Sequence, residues 1–181
     1  MAEVENVFLT NTNQQTFTWE GLGNIKEGRG DLGEEMPVLV YRLLLFTMME
    51  VLTKDFGREK ANDYMREAGH LAGTEFARYS LDLTAPFDKF AASMQKALQE
   101  LKIGILRIES VTENTEEIVL TIAQDLDCSG LPIVNEIVCN YDEGFIAGIL
   151  ELYTKKPYSV REIDCWASGD RVCRFKCNCI G

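Results

Sequence analysis

The stretch that most constrains this chain is Glu162-Ile163-Asp164-Cys165-Trp166-Ala167-Ser168-Gly169-Asp170-Arg171-Val172-Cys173-Arg174-Phe175-Lys176-Cys177. Side chains alternate up to Trp166, a Ser-Gly-Asp cluster follows, and alternation resumes at Val172, the pattern of two strands joined by a tight turn. With Gly169 at the centre of that turn, Cys165 and Cys173 are equally distant from it and face each other across the strands. Glu162 lies one step upstream on the same strand, and Cys139 is the earlier cysteine that a helix can bring over this surface. Three thiolates and a carboxylate, from Cys139, Glu162, Cys165 and Cys173, would close a tetrahedral zinc shell. Glu162 and Cys165 face opposite sides of a regular strand, so such a shell requires a bulge or a bend. The competing reading of the same residues is three reduced structural thiols and a surface glutamate.

Composition bounds what surrounds this hairpin. The chain has 181 residues, 46% of them apolar, and is expected to form a single domain over 1–181. Within it, residues 1–30 read as an N-terminal arm or hairpin and 116–177 as the region of the metal motif. The net charge of −11 argues against a nucleic acid or an anionic membrane as partner, because phosphate binding needs a basic face. The start, Met1-Ala2-Glu3-Val4-Glu5, has neither the basic region nor the apolar core of a signal peptide, and the apolar run from Val38 to Met49 is broken by Arg42 and falls short of a bilayer span. A cytoplasmic location is the expectation. Six cysteines in such a setting point to metal or redox chemistry rather than disulfides. Cys128, after Asp127 and before Gly130, stands apart and reads as an ordinary turn or core thiol.

Periodicity orders the rest. A helix apolar almost all round is expected over Glu34 to Leu52, with Pro37 in its first turn, and belongs in a core or a subunit interface. Asp55, Phe56 and Gly57 end it, and a second helix runs from Arg58 to about Ser80 with Ala61, Met65, Ala68, Ala72, Phe76 and Tyr79 on one stripe. Gly69 and Gly73 each cost about 1 kcal/mol of helix propensity relative to Ala, so another helix or a ligand is expected to pack closely there. His70 between them is the only histidine; it reads first as a partly buried polar residue with a satisfied hydrogen bond, and second as a pocket residue. A third helix follows Thr84 and Pro86 to Lys102, with Phe87, Phe90 and Met94 on its apolar face. Period two marks strands over Ile105 to Thr112 and Glu117 to Ala123. Pro132 is expected to open a fourth helix that carries Cys139 at the edge of its apolar stripe. The fold class is α+β, an antiparallel sheet with helices packed on it.

At Cys139 and along Glu162-x-x-Cys165-Trp166-Ala167-x-Gly169-Asp170-x-x-Cys173-x-Phe175 the sequence resembles the 4-vinyl reductase (hydrocarbon-binding) domain family, which also supplies the sensory domain of phenol- and xylene-responsive transcription regulators. The resemblance is specific over about Glu116 to Cys177. It implies a structural zinc ion on the matching cysteines and glutamate, and a fold similar to Golgi transport-particle subunits and haem-based nitric-oxide sensors. No pocket residue of the phenol sensors carries over by motif. With neither an ATPase nor a helix-turn-helix segment, a sensor of this kind would act through a separate output protein.

The leading expectation is therefore a stand-alone, zinc-stabilised and homodimeric domain that binds a small apolar or aromatic ligand, lined by His70, Phe87, Phe90, Met94, Ile118 and Phe145. The family name implies an alternative, an accessory or carrier protein for tetrapyrrole vinyl reduction. Catalysis itself would need a hydride source, and the chain shows neither a dinucleotide nor a flavin motif. A third reading is a redox or metal sensor working through Cys177 and Cys179, for which exposed thiols on a fraying terminus are the plainer account.

Overall fold

A computed structural model describes residues 17–181, and the chain divides after Glu34 into two units. In the first, a 3-10 turn at Trp19–Leu22 precedes a short helix α1 (Ile25–Gly28), whose first turn is capped by the Asn24 side chain accepting from the Glu27 N–H at 3.1 Å. The expected arm or hairpin over 1–30 lies largely outside the described residues, and its described part is helical. Short apolar patches do not pair as strands where Gly and Asn punctuate every few residues.

The second unit holds the remaining elements. Helices α2 (Val38–Phe56), α3 (Arg58–Ser80) and α4 (Phe87–Glu100) are followed by strands β1 (Ile105–Val111) and β2 (Glu117–Ala123), helix α5 (Asn140–Thr154), and strands β3 (Tyr158–Asp164) and β4 (Cys173–Cys179). The sheet is antiparallel in the order β1-β2-β4-β3, so the last strand of the chain inserts between its hairpin partner and β2. The α+β reading holds. Leu120 of β2 and Phe175 of β4 are opposite each other in the ladder and fully buried, and Phe90, Met94 and Leu98 of α4 are buried with Ile146, Ile149 and Leu150 of α5. Each such side chain contributes about 1.5–3 kcal/mol by leaving water.

Gly69 and Gly73 do mark a close approach. A Cβ on either would collide with a backbone carbonyl of α5, at Tyr141 and Phe145, and α5 answers with Gly144 and Gly148, whose Cβ atoms would collide with the carbonyls of Arg66 and His70 on α3. Two backbones thus touch with no side chain between them, which repays the helix propensity that glycine forfeits. The buried face of α3 follows this seam, through Ala61, Met65, Gly69, Gly73 and Phe76, and leaves Ala68 and Tyr79 of the expected stripe exposed. No residue of α2 is buried, and Leu39 and Leu44 are 69% and 64% exposed. Its all-round apolar character therefore belongs to a surface of this unit and not to its core.

Two expectations are corrected. Pro132 does not open a helix: 131–139 is irregular, the N–H groups of Val134 and Asn135 both donate to the Ala167 carbonyl, at 2.9 and 3.0 Å, and Asn135 sits at φ 56°. Helical spacing of Ile133, Val134, Ile137 and Val138 is overridden by these tertiary bonds, and β-branched residues resist helix weakly in any case. The second correction concerns the hairpin, which is not joined by a tight turn. Asp164 pairs with Arg174, Cys165 caps a 3-10 turn at Trp166–Ser168, and Cys173 faces Ile122 of β2, so the two cysteines are not ladder partners. The bulge that Glu162 was expected to need is present, between Glu162 and Asp164.

Candidate metal centre

Four buried thiols, those of Cys128, Cys139, Cys165 and Cys173, lie within 4.8 Å of one another. Each arrives on a separate device. Cys173 opens β4, and Cys139 occupies the N-cap position of α5. Cys165 is turned inward by its 3-10 turn, where its own N–H donates to Ser168 Oγ at 3.1 Å and its carbonyl accepts from the N–H groups of Ser168 and Asp170. Cys128 sits in the β2–α5 loop, which Asp125 folds by accepting from the N–H groups of Asp127 and Cys128 at 2.9 and 3.1 Å. This is an Asx-type turn, the local chemistry for which an aspartate at that spacing is suited.

Helix α2 clamps that loop from outside. Arg42 donates from Nε to the Leu126 carbonyl at 2.8 Å and from Nη2 to the Ser129 carbonyl at 2.9 Å, and the Tyr41 hydroxyl donates to Asp127 Oδ1 at 2.7 Å. Burial, with the Asp125 charge adding to it, pushes Asp127 up to about 6. On the other side Glu162 Oε2 accepts the Cys139 N–H at 3.1 Å, the Glu162 N–H donates to Glu143 Oε1 at 2.9 Å, and Glu143 pairs with Arg66 and Arg161. Two carboxylate oxygens, Asp142 Oδ2 and Glu162 Oε1, are buried without a partner among the described residues. Burial first, and Cys165 next, push the Glu162 carboxyl up to about 8.

The geometry suits a soft metal ion. Thiolates at about 2.3 Å from a tetrahedral centre stand about 3.8 Å from one another. The Cys139 sulfur lies 3.9 Å from that of Cys165 and 3.8 Å from that of Cys173. Cys128 and Cys173 are closer, at 3.0 Å, and a bound ion would spread them. Packed together, the thiols split their proton affinities: contacts with Cys128, Cys139 and Cys173 drive Cys165 far down, while Cys139 and Cys173 are driven far up. Metal binding takes thiols as thiolates, so an ion entering this cluster would displace their protons.

Of the expected metal residues, Cys139, Cys165 and Cys173 come together, and Glu162 stands against them with one oxygen held by Cys139 and one unpartnered. Cys128, read from the sequence as a turn thiol, joins the cluster. Its signal was the Asp125-x-Asp127-Cys128 spelling of a hydrogen-bonded loop, and the signal for its clamp was the one cation, Arg42, interrupting an apolar run. Cys177 is not terminal and frayed: it is buried in the central strand between Ile118 and Val160, and burial pushes its thiol up to about 12. Of the expected ligand lining, Phe87 and Phe90 lie together with ring centres 6.4 Å apart. Phe90, Met94 and Ile118 are fully buried, Phe90 stacks on Tyr153 with ring centres 3.8 Å apart, Phe87 lies 6.2 Å from the same ring, and Phe145 packs on Phe76. His70 Nε2 meets Glu151 Oε2 at 2.7 Å, the satisfied polar arrangement, at the edge of an open groove of about 340 Å³.

Among known proteins, the chain is 30% identical over 155 residues to the uncharacterized protein MJ1642 of Methanocaldococcus jannaschii, covering 81% of this chain and 80% of that one. It is 30% identical over 103 residues to MJ0150 of the same organism, of whose length it spans 58%. Solved structures share the fold at low identity. The phenol-responsive sensory domain of the transcription activator PoxR, with phenol, gives a TM-score of 0.63 at 14% identity, covering 81% of this chain and 76% of that one. A vinyl-4-reductase family protein from Methanocaldococcus jannaschii gives 0.58 at 14%, over 83% and 85%. Subunit 3 of a trafficking protein particle complex from Naegleria fowleri, covalently bound to palmitic acid, gives 0.60 at 15%, over 80% and 98%. The family model for the V4R domain matches residues 118–178, the span from β2 through the irregular loop and α5 to β4 that holds all four clustered thiols. With that match and a kinship to MJ1642 that covers 81% of this chain and 80% of that one, the chain belongs to the 4-vinyl reductase (V4R) domain family.

Proposed function

We propose that this chain is a small-molecule-binding sensory domain whose metal-carrying end is locked by a structural zinc ion on Cys128, Cys139, Cys165 and Cys173. The observation that carries it is the convergence of four buried sulfurs, from a loop, a helix cap, a turn and a strand, at separations close to those of a tetrahedral thiolate shell. Thiolates select soft ions, and four protein ligands leave no position for a reacting water, so the ion holds structure. Glu162 is the carboxylate that the family likeness offers as a ligand; here it orients Cys139 through the backbone N–H and keeps its second oxygen beside the shell. Sensory function is supported by the family and by the fold shared with the PoxR phenol domain.

Elemental analysis of protein purified without added metal tests the reading. About one zinc per chain is expected, lost in Cys165→Ser, and metal-free wild type that is fully folded would sink it. X-ray absorption then counts the ligands: four sulfurs mean the thiol quartet, and three sulfurs with one oxygen mean Cys139, Glu162, Cys165 and Cys173. The same reading takes the domain to be a homodimer through α2, because Leu39, Val40, Leu43, Leu44 and Val51 are all exposed on one apolar helix. Light scattering should give twice the chain mass, falling to one in Leu43→Glu, and a monomeric wild type would refute that arrangement.

A further inference from the structure

Beside the cysteine cluster lies a groove of about 460 Å³, within the range of small-ligand sites. Its walls are the start of α2 with Val38 and Arg42, Lys102 after α4, the loop at Leu126, and Trp166 and Arg171 of the β3–β4 connection. In a chain of net charge −11 the cations Arg42, Lys102 and Arg171 converge here. The acid at the wall, Asp125, is buried, and its Oδ1 is engaged by two backbone N–H groups. The Arg42 guanidinium is pinned by its bonds to the Leu126 and Ser129 carbonyls, which use Nε and Nη2. The Trp166 indole is pinned by its Nε1–H to the Leu131 carbonyl at 3.0 Å. A fixed cation and a fixed aromatic plane are thereby held in one concavity, and their ordering costs nothing further when a ligand arrives. Lys102 meets the exposed Glu35 at 2.8 Å, a surface pair that an incoming anion can replace, and Arg171 has no ion pair among the described residues.

We propose that this groove binds a small molecule carrying an oxyanion, carboxylate or phosphate, on a flat apolar body, with the anion among Arg42, Lys102 and Arg171 and the flat body on Trp166. The inference deepens the small-molecule-binding reading and rests on it. Planar guanidinium forks match carboxylate and phosphate oxygens, and the indole face takes an apolar plane. The walls are also the segments that carry the thiols: Leu126 and Ser129 flank Cys128, and Trp166 follows Cys165. A ligand there favours the arrangement in which both segments are closed on the metal, and by linkage the metal favours the ligand to the same degree.

The test titrates benzoate, phenyl phosphate, inorganic phosphate and phenol into the metal-loaded full chain, by calorimetry and by fluorescence in Trp19→Phe, where Trp166 is the remaining indole. Benzoate and phenyl phosphate are expected to bind saturably, to change Trp166 emission, and to bind about tenfold or more tightly than phenol or inorganic phosphate. Lys102→Glu with Arg171→Glu, both at the surface, should remove that preference while circular dichroism stays unchanged. Bound benzoate should also slow the loss of metal to a chelator. Phenol binding as tightly as the anions, with no response of Trp166 or of the double variant, would overturn the groove and leave the small-molecule reading standing. Inorganic phosphate binding as tightly as phenyl phosphate would overturn the flat-body half, and absence of binding by all four probes would overturn the inference whole.

Discussion

Strand β4 places the same residue type in two environments a few residues apart. Cys173 at its start and Cys177 near its end point to the same face of the sheet, and both are buried. Cys173 meets three other sulfurs and the Asp125 carboxylate, brought by loops, a turn and a helix cap. Cys177 meets Ile118 and Val160 and is held as a thiol by burial alone. Reactivity is thus assigned by neighbours and not by the strand: one end of β4 lies in a thiol cluster that could hold a metal ion, the other in close apolar packing.

The largest effect that sharpens this contrast is Cys173→Ser. It should abolish zinc retention and unlock loop, cap and turn together, a loss taken from a binding free energy of about 10 kcal/mol or more, seen as a fall in melting temperature that added zinc does not reverse. A Cys173→Ser protein as stable as wild type would break the comparison. Next is the pH dependence of metal-stripped protein. Glu162, ordinarily near 4.5, is raised to about 8 in the folded state, so between those values the folded form keeps a proton that the unfolded form releases. Stability of the stripped protein should therefore fall as pH rises from about 4.5 to 8. With zinc bound the slope should reverse, because protons compete with the ion for the thiols. Denaturant midpoints across that range check both signs. At the other end of the strand, Cys177→Ser buries a hydroxyl among apolar neighbours and should cost about 1–3 kcal/mol by denaturation, with zinc content unchanged. Loss of zinc in that variant would mean the two ends are not separate. Smallest is Cys179→Ser, half-exposed at the strand end, with a change within about 0.5 kcal/mol.

How far the sequence could be read follows the same division. Local rules carried the regular elements: Gly57 at φ 82°, one of the residues expected to break α2, ends it at Phe56 rather than at Leu52, Pro37 precedes its start at Val38 rather than lying inside it, α3 spans Arg58–Ser80 as expected, and β2 spans Glu117–Ala123 as expected. Glycines at helical spacing announced the α3–α5 contact. What failed were places where a distant carbonyl decides the backbone. Pro132 and the apolar residues after it spell a helix, yet Ala167, far along the chain, claims the N–H groups of Val134 and Asn135. For the same reason Cys128 read as a turn thiol and not as a cluster member: its position depends on Arg42 of α2, and the spacing of Cys128 to Cys139 does not reveal that clamp. The core side chains Phe90, Met94 and Ile118 were legible as apolar, but apolar spacing does not distinguish a packed interior from a cavity wall.

The interlocked glycines of α3 and α5 have a mechanical consequence. Two helices whose backbones are in direct contact at Gly69, Gly73, Gly144 and Gly148 cannot part slightly and repack, since there are no side chains between them to change rotamer. They must travel as one stiff plate or slide along the seam. Cys139 sits at the N-cap of α5, so the plate begins at the thiol cluster. The two helices run in the same direction, Gly69 against Tyr141 and Gly73 against Phe145, so a displacement at that cap would carry the C-terminal ends of both, at Ser80 and Thr154, with it.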